Sequence, residues 1–149
     1  MNDYKLINET MKGIVANCNY PISVMSNAAA ILFNELTDLN WAGFYLMQDG
    51  KLILGPFQGK LACMEIQVGK GVCGTAVKEE KVQRVANVHE FPGHIACDSA
   101  SNSEIVVPIF KNGEVFGVLD IDSPKYDRFS EEDELNLTEF AKILEKGIF

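Results

Sequence analysis

No run of apolar residues in the 149-residue sequence approaches the roughly 18 that a bilayer span needs. The N-terminus, Met1-Asn2-Asp3-Tyr4-Lys5-Leu6, lacks the basic and apolar regions of a signal peptide, so a cytoplasmic chain with no membrane partner is expected. Basic residues are also few: 13 Lys and Arg stand against 21 Asp and Glu, for a net charge of −8. That field repels a long polyanion, and no basic run with interleaved aromatics occurs, which argues against nucleic acid as a partner. Repeats, linkers and low-complexity tracts are missing too. What remains is ordinary globular composition, 47 % hydrophobic and 23 % charged, enough for one core and an expected single domain over residues 1–149.

The four cysteines include no Cys-x-x-Cys pair, and His89 and His94 do not form a His-x3-His knuckle. A preorganised zinc site is therefore not read, and both histidines read as loop residues. In a reducing compartment the cysteines are not expected to be static staples either, which leaves catalysis, redox exchange or metal binding. Gly69-x-Gly71-x-x-Gly74 matches the dinucleotide fingerprint in letters. The strand before it, Glu65-Ile66-Gln67-Val68, is half polar, and no acid ends a second buried strand about twenty residues on. No cofactor is expected.

Helical spacing of Ile7, Met11, Ile14 and Val15 predicts a first helix, and Pro21 suits the first turn of a second running through Leu36. Trp41–Met47 and Lys51–Leu54 read as a hairpin about Asp49-Gly50, and a short strand follows near Met64–Val68. A short helix over Val72–Glu80, a strand at Val82–Val85 and a long loop over residues 86–103 come next; a loop of that length is usually functional. Glu104–Phe110 and Glu114–Asp122 form the strongest β signal, and Ser130 with Asp133 marks the cap of a final helix. The fold class is α+β, with about six mainly antiparallel strands, N-terminal helices and a C-terminal helix packed on the sheet.

Cys73 stands in the first turn of the short helix, where unpaired N–H groups favour a thiolate. Cys97 lies in the long loop, Cys63 begins a strand, and Cys18 reads as filler. Asp120 and Asp122, two apart in a strand, project from one face. A three-residue loop ending in a bulge at Gly113 would put Glu104 opposite Asp120, on that same face; a two-residue loop would put it opposite Ile121, on the wrong one. Three acids together repel, so at least one should hold a proton near neutrality.

Trp41-Ala42-Gly43-Phe44-Tyr45, Gly55-Pro56-Phe57-Gln58-Gly59, Ala62-Cys63, Gly69-Lys70-Gly71-Val72-Cys73-Gly74, His94-Ile95-Ala96-Cys97-Asp98 and Glu104 through Asp122 together resemble the free methionine-(R)-sulfoxide reductases, which are GAF-domain enzymes. The resemblance spans essentially the whole chain. It implies a GAF-like fold and Cys97 as nucleophile, with Cys63 and Cys73 as further thiols, one or both resolving. It implies Trp41 and Tyr45 as the aromatic pocket wall and Glu104, Asp120 and Asp122 as substrate-binding carboxylates. It further implies free methionine-(R)-sulfoxide as substrate and, through a Cys97 sulfenic acid and a disulfide, thioredoxin as reductant, with no metal. Homodimers are common among domains of this kind. Two competing readings are a non-enzymatic GAF module that binds a small ligand and a redox switch closed by Cys73 and Cys97. Neither calls for three acids beside reactive thiols.

Overall fold

The computed structural model describes residues 3–94 and 100–149. Two helices come first, as the spacing of their apolar residues requires: α1 (Tyr4–Asn17) and α2 (Pro21–Glu35). The Asp3 carboxylate caps α1 by accepting from the Leu6 N–H, and Pro21 occupies the first turn of α2, where its missing N–H is harmless. The strands are β1 (Trp41–Gln48), β2 (Lys51–Gly59), β3 (Glu65–Gln67), β4 (Gln83–Val85), β5 (Ser103–Lys111) and β6 (Glu114–Ser123). A third helix, α3 (Gly71–Glu79), separates β3 from β4, and α4 (Glu131–Ile148) closes the chain. All strands join one antiparallel sheet in the order β3-β2-β1-β6-β5-β4, which is the α+β architecture expected from the sequence.

The sheet separates two apolar regions. On one face Ala42, Phe44, Ile105, Val107, Leu119 and Ile121 pack against Ile7 and Met11 of α1, Ala28 and Leu32 of α2, and Leu137 and Phe140 of α4. Full burial of a side chain such as Phe44 contributes about 1.5–3 kcal/mol, so this face carries most of the apolar stabilisation. On the other face Trp41, Tyr45, Val106 and Val118 meet Val72, Cys73 and Ala76 of α3. The start of α4 is fastened to α1 by one carboxylate. Asp133 closes the expected capping box with Ser130, accepts a 2.6 Å hydrogen bond from the Tyr4 hydroxyl, and pairs with the buried Arg128 guanidinium. Burial alone would raise the Asp133 carboxyl. The Ser130 and Tyr4 hydrogen bonds and the Arg128 charge outweigh burial and hold it below the usual carboxylate range.

The β5–β6 hairpin departs from both registers considered in the sequence. Asn112 and Gly113 both have positive φ, 53° and 80°, so the loop is a two-residue turn pairing Lys111 with Glu114, not the three-residue loop with a bulge at Gly113. An irregularity then falls inside the ladder: Phe110 pairs with Val115 but Ile109 with Gly117, leaving Phe116 as the extra residue. The slip brings Glu104 opposite Asp122 rather than Asp120. Glu104 still reaches the face of the two aspartates, because one extra residue restores the parity that the two-residue turn alone would break.

Candidate active site

The acids lie on the sheet face that α3 covers. Strand alternation turns Trp41, Gly43 and Tyr45 of β1 to this side, and the pairings Trp41–Asp122, Gly43–Asp120 and Glu104–Asp122 gather them with the three carboxyls. Glu104 and Asp120 are only 7 % and 5 % exposed. A side chain at Gly43 would meet the opposite strand, its Cβ 2.3 Å from that of Phe57, so the position across from Asp120 stays open.

Trp41 forms the wall. Its ring stacks on Tyr45 at 5.8 Å and on Phe57 at 5.2 Å. The polar tips of the two wall residues point the same way: the Trp41 Nε1–H donates to the Lys60 carbonyl at 3.2 Å, and the Tyr45 hydroxyl donates to the Cys63 carbonyl at 2.9 Å. The wall thus anchors the segment that carries Cys63. Burial, and then the charges of Asp120 and its neighbours, keep the Tyr45 hydroxyl protonated well above the usual phenol range.

The cysteines divide by chemistry. Cys63 is disulfide-bonded, whereas Cys18 and Cys73 are free thiols. Cys97 lies outside the described residues. Cys73 is the third residue of α3, as its predicted place at a helix start requires, but the expected thiolate does not follow. The residue is only 4 % exposed, and its thiol donates to Glu104 Oε2 at 3.9 Å. Burial pushes the Cys73 thiol well up, and the charges of Asp120 and Glu104 add to it. Desolvation and neighbouring anions outweigh the partial charge of a short helix.

Burial also drives Glu104 far above the usual carboxylate range, and the Asp120 and Asp122 charges push the same way. Asp120 is raised by burial too, although its side-chain interactions with Glu104, Asp122 and Cys73 partly offset this. The expected proton is therefore held in the cluster, with Glu104 its strongest holder. His94 lines the same cavity; burial, then the nearby His89, holds it below its ordinary range, so its ring is neutral at pH 7.

Leu61, Ala62, Ile66, Lys70, Val72 and Ser101 complete the cavity lining around Trp41, Tyr45, Cys73 and the three acids. The free interior is about 40 Å³, room for about three waters. Gly69-x-Gly71-x-x-Gly74 turns out to be packing: a Cβ at Gly74 would lie 2.4 Å from the Gln67 carbonyl oxygen, which lets α3 sit close on β3. Sequence reasoning did not assign Phe57, Ser101 or His94 to the site. Counting back from the Asp49-Gly50 turn would put residues 56–58 opposite Trp41–Gly43 and Phe57 opposite Ala42; a register shift between Gly43 and Tyr45 instead brings Phe57 opposite Gly43, so turn counting alone misses it. Nothing local marks Ser101 or His94. Chemically, the cavity can hold a cation against ionised carboxylates and deliver a proton from a buried carboxyl beside a sulfur-bearing wall.

The model of the GAF domain matches residues 21–148. The chain is 51 % identical over 143 residues to the free methionine-R-sulfoxide reductase of Escherichia coli strain K12, covering 96 % of this chain and 87 % of that protein. Its backbone superposes on the reduced form of the Staphylococcus aureus protein fRMsr with a TM-score of 0.98 and 49 % identity, over 100 % of this chain and 97 % of that one. The free methionine-R-sulfoxide reductase of Neisseria meningitidis, solved in complex with its substrate, gives a TM-score of 0.93 and 43 % identity over 96 % and 86 % of the two chains.

Proposed function

This chain belongs to the GAF-domain family and, within it, to the free methionine-R-sulfoxide reductases, and on that premise we propose that it reduces free L-methionine-(R)-sulfoxide with Cys97 as nucleophile and Cys63 as resolving thiol. The observation that carries this reading is the buried carboxyl cluster, with one member protonated, lying against an aromatic wall that also anchors Cys63.

The Cys97 sulfur attacks the sulfoxide sulfur while Glu104 supplies a proton to the departing oxygen. Overall, the thiol and the sulfoxide become Cys97 sulfenic acid and methionine, and two electrons move from the cysteine sulfur to the substrate sulfur. The Cys63 thiolate then displaces hydroxide from the sulfenic acid, water leaves, and a Cys63–Cys97 disulfide remains. Two observations favour Cys63 over Cys73 as the resolving thiol. Cys63 is already disulfide-bonded, whereas Cys73 is a free thiol. Cys73 is also held protonated, a poor state for attack. An external dithiol of the thioredoxin kind restores both thiols by exchange. Residues 1–149 act as one domain in this reading.

Asp120 and Asp122 receive the substrate's α-ammonium group, and Trp41, with Tyr45 beside it, covers the methyl-bearing end. An anionic pocket that reads a free ammonium disfavours methionine sulfoxide inside a peptide, which lacks that charge. The test is direct. With dithiothreitol, the protein should release methionine from the R epimer and not the S epimer, and Cys97→Ser should release none. No release from the R epimer, or full release by Cys97→Ser, would overturn the proposal.

A further inference from the structure

Cys73 is the one thiol of the cavity that the proposed chemistry leaves unused. Its sulfur, a Glu104 oxygen and an Asp120 oxygen all lie within 4.8 Å of one another, and all three residues are buried. One Asp120 oxygen, Oδ1, is shut off from solvent and has no hydrogen-bond partner among the described residues. Neither Glu104 nor Asp120 has an ion-pair partner there. A buried, unsatisfied carboxylate oxygen is costly, and Asp120 lines a cavity with room for an ion and a water or two.

We propose that Cys73, Glu104 and Asp120 bind one borderline-soft divalent cation of the Zn²⁺ class at the floor of the cavity. One sulfur and two oxygens are a donor set that such an ion accepts, with the open side of the cavity as a fourth, water-filled position. Around a tetrahedral zinc the sulfur–oxygen edge is about 3.5 Å, so the 3.9 Å between Cys73 Sγ and Glu104 Oε2 needs only a small contraction. On binding, the thiol and carboxyl protons leave to solvent and three ligand charges meet the two of the ion. Hard ions such as Mg²⁺ are disfavoured by the sulfur. That the cation also blocks the substrate's ammonium position rests on the reductase reading; the binding itself does not.

The experiment uses the oxidised protein, in which Cys63 is held in its disulfide, with Cys18→Ser to remove the remote thiol. Cd²⁺ serves as the probe because a thiolate–cadmium bond has its own ultraviolet charge-transfer absorption. The expected result is a saturable band at one Cd²⁺ per chain, lost in Cys73→Ser and competed by Zn²⁺ but not Mg²⁺. Asp120→Asn, which keeps the side-chain volume, should weaken binding at least about tenfold, the loss that even an outer-shell partner causes. No band in the Cys18→Ser protein, or an unchanged affinity in Asp120→Asn, overturns the site even if Cys73→Ser does not fold. A Cys73-dependent band from a protein that fails to reduce the sulfoxide would uphold the cation site and reject the reductase reading.

Discussion

At the scale of single residues, Glu104 sets function against stability. Its folded-state carboxyl is raised above the unfolded value, so the proton it retains stabilises the fold fully below about pH 4.3 and that contribution is lost as pH rises through the raised value. Glu104→Gln removes the dependence. The variant should melt about 2–6 °C above the unsubstituted protein at pH 8, with the gap narrowing at pH 5, while methionine release falls about 100-fold or more. Thermal melts at the two pH values decide the first part; a variant that melts lower at pH 8 contradicts it. Cys63→Ser should release one methionine per chain and stop when thioredoxin is the reductant, leaving a sulfenic acid that dimedone traps. Continued turnover at the original rate would remove Cys63 from the resolving role. That Asp120 and Asp122 share a face was legible in the sequence from their spacing, but Glu104 joins them only through the slip at Phe116 and not through the register expected. The Cys73 environment was not legible, because the helix start is a local signal whereas the acids facing it arrive from β5 and β6, thirty and more residues away.

Among the elements, the β5–β6 hairpin and α3 position the site. The strands and their turn residues could be read from alternation and from Asn112-Gly113, but the irregularity at Phe116 could not: which residue slips is decided by packing on both faces, not by local preference. The order of the strands in the sheet was likewise beyond periodicity, since β1 pairs with β6 across most of the chain. Gly74 offers a test at this scale. Gly74→Ala drives a Cβ into the Gln67 carbonyl, so α3 must lift from β3 at a cost of about 1–3 kcal/mol. Denaturant melts should register that loss, and methionine release should fall with it, because Cys73 and Val72 line the cavity from α3. A variant with unchanged stability would mean that α3 is not held at that contact.

Across the whole molecule, the sheet isolates the chemistry from most of the stabilising core. Tyr4 belongs to the far side, where its hydroxyl bridges α1 to the buried Asp133. Tyr4→Phe should therefore cost about 1.5–3 kcal/mol, the usual worth of a hydrogen bond to a charged group, and leave methionine release unchanged at 25 °C. Because the folded Asp133 value is depressed, its contribution is present above the unfolded value of about 3.9 and fades as pH falls through the folded one, so the variant and the parent should converge in acid melts. Equal stability of the two at pH 7 would deny Asp133 its anchoring part. The chain also owns a single indole, and it is Trp41, stacked between two rings and tied through Nε1 to the strap that ends at Cys63. All tryptophan fluorescence of the protein thus originates at the pocket wall, giving an intrinsic optical gauge of occupancy and oxidation state that needs no label.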